Sequence, residues 1–226
     1  MLLVGLVGLF LSGGFFGISN TSLGIGLGDV YVDSYRADVY LNGTLEEIYV
    51  YRIGASGKYR MLYRNIRNMP ISSQKQNWPY VEAISIAEPQ GTVPYIKDWK
   101  GNVTVLSKDA GEYAWRIDSL AELNEAGCFN PAMFAAGTYS IDYIFRFHPF
   151  LECDRKFCHW NLMLADIHLP YRQVAIYIHD PEDLLVSLFP HPEMKYRRED
   201  NAWVITGSSQ KDELIEVEML LRTKAT

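Results

Sequence analysis

Beyond Asp29, apolar and polar residues alternate along most of this chain in short runs bounded by Gly, Pro, Asn and Asp. A period of two is the pattern of strands with one buried and one wet face. The clearest run is Tyr139 to Phe147, where Tyr139, Ile141, Tyr143, Phe145 and Phe147 share one face and Ser140, Asp142 and Arg146 the other. Ile215, Val217, Met219 and Leu221 alternate with Glu216 and Glu218, and Tyr113, Trp115 and Ile117 alternate with Glu112, Arg116 and Asp118. Tyr35 to Leu41 and Leu45 to Ile53 flank Asn42-Gly43-Thr44, which predicts a hairpin. Val81 to Ile86, Val103 to Leu106, Val174 to Ile178, Leu184 to Phe189 and Trp203 to Thr206 read as further strands. Roughly nine short strands at near-regular spacing predict a mainly β fold, an antiparallel two-sheet β-sandwich. One helix is expected, over Asp118 to Ala126, with Ser119 as cap, Gly127 as stop and Gly127 to Gly137 as the loop that follows.

The alternation is absent at the start. Met1 to Ile18 is nearly all apolar, and no charged side chain occurs before Asp29. Eighteen helical residues at ~1.5 Å each reach about 27 Å, just short of the ~30 Å hydrocarbon core. This hydrophobic N-terminal segment reads as a secretory signal or an uncleaved membrane anchor, with a buried core helix as the third reading. Gly24-Ile25-Gly26-Leu27-Gly28 has no strand before it and no helix after it, so it reads as linker, not as a dinucleotide loop. The expected organisation is therefore 1–28, signal peptide or membrane anchor plus linker, and 29–226, a single β-sandwich domain.

Composition narrows the function classes. With 48% hydrophobic residues the chain can build a core. Lys plus Arg is 21 against Asp plus Glu 27, and the net charge of −6 argues against nucleic-acid binding. Three Asn-x-Ser/Thr sequons, at Asn20, Asn42 and Asn102, suit glycosylation of an exported chain. Asn42-Gly43 equally suits a tight turn.

Cys128, Cys153 and Cys158 are the only cysteines, so at least one thiol is left over. Cys153 and Cys158 flank a short polar stretch and are the disulfide candidates in an oxidising compartment. Free thiols are the second reading. A metal held by Cys153, Cys158 and His159, with His148 nearby, is the third, on ligand chemistry that suits zinc. His179-Asp180 and His191 sit in Pro-rich turns, which explains them without catalysis. Nucleophile-elbow, zincin, Walker and EF-hand patterns are absent from the sequence, and no cofactor is expected. The basic clusters Tyr59 to Arg64 and Lys195 to Arg198 are expected to pair with carboxylates. Among the aromatic residues, Trp78, Tyr80 and Trp99 fall in turn contexts and are the candidates for stacking on a glycan.

Several segments, in order, resemble the N-terminal domain of the predicted membrane proteins grouped as domain of unknown function 2207. Leu41-Asn42-Gly43-Thr44-Leu45 enters a strand, and Tyr59-Arg60-Met61-Leu62-Tyr63-Arg64-Asn65-Ile66 is similar to the family's Arg-x-x-Tyr-Arg-x-Ile-Pro stretch. Gly137 to Tyr143 is similar to its Tyr-x-Ile-x-Tyr strand, His159-Trp160-Asn161-Leu162 to its Trp-Asn, and Val174 to Pro181 to its strand ending in Pro. The likeness spans about residues 30 to 181. The chain has an aromatic where the family usually carries a Glu in the second strand of the first hairpin, and Pro70 follows Ile66 later than expected. The resemblance implies an exported β-sandwich associated with membrane helices and supplies no catalytic residues. The expectation is a non-enzymatic, membrane-associated, extracytoplasmic module for interaction or envelope assembly. Its partners would be the membrane, through the leader, and a second copy or another envelope protein at a sheet edge. A glycan-binding module is the alternative.

Overall fold

The computed structural model describes residues 28–107, 110–149 and 151–223. The leader and Asn20 lie outside them. Most of the alternating runs form strands: β1 (Val30–Tyr40), β2 (Thr44–Ile53), β4 (Tyr80–Ala87), β8 (Gly137–His148), β11 (Tyr171–His179), β14 (Ala202–Ser209) and β15 (Ile215–Arg222). Eight further strands complete fifteen among the described residues: β3 (Met61–Asn65), β5 (Val93–Lys97), β6 (Val103–Val105), β7 (Glu125–Phe129), β9 (Glu152–Cys153), β10 (Phe157–Ala165), β12 (Leu185–His191) and β13 (Lys195–Glu199).

They form three sheets rather than the two expected. Seven strands are ordered β13-β14-β11-β1-β2-β8-β4, four are ordered β12-β15-β10-β9, and four are ordered β3-β7-β5-β6. Among the described residues the named strands pair antiparallel except β1 and β11, which run parallel with Tyr35 opposite Val174 and Tyr40 opposite His179. The wholly antiparallel expectation is corrected there, because alternation reports which face is buried and says nothing about a partner's direction.

One face of the large sheet, carrying Tyr35, Tyr49, Tyr143 and Ile176, shares a single core with Leu62 and Cys128 of one small sheet and Trp160, Leu162 and Val217 of the other. The layer opposite the large sheet is thus divided in two. A smaller core of Val93, Tyr95, Ile117 and Phe129 lies beneath the helix.

That helix is the second correction. A 3₁₀ turn, Gly111–Tyr113, leads into α1 (Ala114–Leu120), where a strand was expected, and the residues expected to be helical run into the fully buried strand β7. Tyr113 and Ile117 share a face in either geometry, because positions i and i+4 coincide at periods of both 2 and 3.6. Trp115 separates the two cases: it is 72% exposed, as a helix requires and the expected strand did not. The Ser119 hydroxyl donates to the Arg116 carbonyl and caps nothing. Gly127 sits mid-strand, where a Cβ would meet the Leu62 carbonyl oxygen at 2.5 Å and the Tyr63 Cβ at 2.7 Å. Close approach of β3, not helix termination, requires glycine there.

The hairpin forms as expected. Gly43, at φ +91°, donates its N–H to the Tyr40 carbonyl, and the Asn42 side chain accepts the Thr44 amide at 2.9 Å.

Candidate functional site

The site grows from one side chain on the wrong face. In β2, Leu45, Glu47, Tyr49, Tyr51 and Ile53 point inward, and Glu47 is fully buried among them. Its carboxylate accepts the Arg64 Nε at 3.1 Å, the Tyr35 hydroxyl at 2.6 Å and, at the limit, the Tyr49 hydroxyl at 3.4 Å. Arg64 comes from β3 and is itself 4% exposed; its other bond goes to the Asn65 carbonyl. Burial works against the guanidinium's charge, but Glu47 outweighs it and holds that proton more firmly than usual. Burial and the same carboxylate push the Tyr35 and Tyr49 hydroxyls well above the ordinary phenol range. The rings of Tyr35, Tyr49 and Tyr171 pack at 4.9–5.9 Å between centroids.

Over this floor lies a cavity of about 350 Å³ where the two small sheets part. One wall is the whole of β3 with Tyr59. The other is the connection Ile167–Leu169 with Lys211 and Asp212 of the β14–β15 turn, and Val30, Val32, Tyr51 and Tyr171 close the base. The second wall is tied together: Asp212 and His168 exchange backbone and side-chain bonds at 3.0 Å, and the His168 ring nitrogens lie 2.5 and 2.6 Å from the Leu169 and Glu213 carbonyls. The cavity therefore offers aromatic faces, hydroxyls and apolar surface. Its deep charges neutralise each other.

Glu47 and Arg64 were not singled out as a pair in the sequence, although a signal was present. Alternation already puts Glu47 on the face of Leu45 and Tyr49, where a lone carboxylate needs a buried cation. An aromatic was expected where the family carries its β2 glutamate, yet β2 still supplies a buried carboxylate to Arg64.

The other sequence candidates scatter. Trp78 and Trp99 meet edge to face at 6.2 Å, both exposed, with Lys100 over the Trp99 ring at 5.1 Å. Tyr80 does not join them: expected exposed in a turn, it opens β4, is buried, and stacks on His148 at 4.2 Å. Asn102 is exposed beside them, with its amide nitrogen donating to Asp98 at 2.9 Å. Cys153 and Cys158 are joined in a disulfide across β9 and β10, so neither thiolate is available to a metal with His159. No group of three or more metal-binding side chains occurs among the described residues. Cys128 is a free thiol, and burial pushes it up to about 12.

His179 and Asp180 divide between two roles. Asp180 is buried and caps the Leu184 and Leu185 amides at 2.7 and 3.0 Å. His179 stacks on Tyr40 and contacts Asp38 Oδ1 at 2.8 Å, while Arg36 Nε donates to Asp38 Oδ2 at 2.6 Å. Burial resists the Asp38 charge, yet these two donors outweigh it and hold the carboxyl below its usual range. In the basic clusters Arg64 pairs with Glu47, Arg197 with Glu199 at 2.5 Å and Arg198 with Asp183 at 2.7 Å, whereas Arg60 donates to the Pro131 carbonyl.

Three sheets and a tyrosine-lined cavity bordered by β3 define a mainly β domain. The chain belongs to the family described as "Predicted membrane protein (DUF2207) N-terminal domain", whose model matches residues 31–221. Among curated proteins none matches the chain. Similar solved structures include a Legionella pneumophila aminopeptidase A (7% identity, TM-score 0.48), a Deinococcus radiodurans M1 zinc metallopeptidase (6%, 0.44) and a yeast LTA4 hydrolase (9%, 0.42). Each covers 84% of this chain, and this chain spans 21%, 42% and 28% of theirs.

Proposed function

We propose that this domain is a non-enzymatic interaction module of a membrane protein, acting outside the cytoplasmic membrane in envelope assembly and receiving an uncharged, amphipathic group in the cavity between the small sheets. The observation that carries it is the closed Arg64–Glu47 pair beneath the cavity: its buried charges satisfy one another, leaving aromatic and apolar walls to recognise a ligand. The Cys153–Cys158 disulfide supports the location, because such bonds persist in oxidising compartments.

Ligand-observed NMR with a library of small amphipathic fragments tests the reading. Ile167, half exposed on the cavity wall, is replaced by Trp to fill the space. Fragments that bind the native chain and lose at least tenfold in affinity with Ile167→Trp support the proposal; binding indifferent to the filling overturns it.

A glycan-binding role is the second reading, favoured by the exposed Trp78–Trp99 pair, whose perpendicular rings offer two stacking faces. A glycan array with Trp99→Ala as control decides it, and absence of binding on every saccharide removes it.

A further inference from the structure

The three sheets have six edges, and five carry a recognisable protection against pairing with another chain. β13 is Lys195-Tyr196-Arg197-Arg198-Glu199, exposed throughout and charged at every position but Tyr196. β4 is broken by a register shift between Ala83 and Ser85, and β12 by another between Leu185 and Ser187 as well as by Pro190. β9 is two residues long and β6 three. The sixth edge is β3. It is five residues long, pairs with β7 in unbroken register, has no proline, and has no strand on its other side.

Met61, Leu62, Tyr63, Arg64 and Asn65 all border the cavity. Their side chains alternate between faces, so a cavity bordered by all five meets main chain as well as side chains along the strand. Hydrogen bonding agrees. The Ile66 amide donates to Asn124 and the Arg60 carbonyl accepts from Asn130, which turns even-numbered residues toward β7. The Tyr63 and Asn65 carbonyls instead accept side-chain donors, Tyr51 and Arg64, from the cavity side. The main-chain groups of Met61, Tyr63 and Asn65 therefore face the cavity, and each carbonyl keeps a second lone pair.

From this we infer that the β3 edge takes an extended segment of a partner protein as an added strand, seated in the cavity by an uncharged apolar side chain. The inference rests on the binding reading above and names its occupant. An open strand edge calls for a partner backbone rather than a compact molecule. The cavity is small for a folded element, yet it suits the side chains of one strand. Lys211 and Asp212 stand together at the rim and Arg64 is matched by Glu47, so a charged anchor has no counterpart.

The test pans a displayed library of random dodecapeptides against the full chain, then follows the tightest synthetic peptide. Enriched peptides are expected to alternate apolar residues, to slow hydrogen exchange at Met61–Asn65, and to lose at least tenfold in affinity with Ile167→Trp. N-methylation at alternate peptide positions is expected to abolish binding, while the intervening positions tolerate it. Thermal unfolding of the Trp variant checks that it folds. Binding that needs the open cavity yet ignores every N-methylation overturns strand addition and leaves the binding reading standing. Binding indifferent to both overturns both, and a library with no enriched peptide overturns strand addition.

Discussion

Glu47 and Arg64 cost the fold two buried charges and return a single closed interaction. Arg64→Met would strand the Glu47 carboxylate among Tyr35, Tyr49 and Leu45, and an uncompensated buried charge costs about 3–5 kcal/mol. Denaturant unfolding should show that loss, and the double variant Glu47→Leu with Arg64→Met should recover most of it. Equal losses in the single and double variants would mean that the pair is not the determinant. Glu125 behaves differently. It is 1% exposed, accepting the Tyr95 hydroxyl and the Glu122 amide, and burial raises it from 4.5 to about 7 despite both bonds. The folded chain thus holds this proton more tightly than the unfolded chain. The contribution is favourable below pH 4.5, shrinks as pH rises to about 7, and is gone above, a swing of roughly 3 kcal/mol at most. Glu125→Gln should flatten the fall in melting temperature between pH 5 and pH 8; an undiminished fall assigns it to other groups.

At the scale of elements, the β3–β7 ladder depends on a missing side chain. Gly127→Ala would drive a methyl into the Leu62 carbonyl and the Tyr63 Cβ, and overpacking of that kind costs about 1–3 kcal/mol. Chemical denaturation would measure it, with accelerated exchange at Met61–Asn65 as the local sign; unchanged stability would show that β3 can shift without cost. Most long strands were legible, because eight or more alternating residues leave little doubt about the period. Of the shorter ones, β6 and β12 were legible as Val103 to Leu106 and Leu184 to Phe189, whereas β3, β7 and β13 were not. β3 and β13 read as basic clusters, since Arg64 and Arg198 gave no hint in the chain of the Glu47 and Asp183 that match them. β7 was hidden because all five of its residues are buried, which removes the alternation altogether.

Across the whole molecule the two cores are unequal. The main core draws on all three sheets, whereas the smaller one joins β5, β6, β7 and the segment around α1, with Met61 of β3 at its margin. Regions with fewer buried contacts open first. Amides of Ala114–Leu120 and Val103–Val105 should therefore exchange through a local opening of lower free energy than those of Tyr139–Phe147. Exchange of both at one common free energy would make the domain a single cooperative unit.

The chain alone determined the mainly β character, the first hairpin and the faces that turn inward, since period, turn residues and burial are local properties of a strand. Family membership was legible in the same way, from the order of its segments. Only the tertiary structure decided that the layer facing the large sheet is split in two, that β1 and β11 run parallel, and that Arg64 finds Glu47. Each of these depends on which distant segments meet, and a one-dimensional pattern does not carry the identity of a partner. The cavity and the open edge of β3 follow from that meeting.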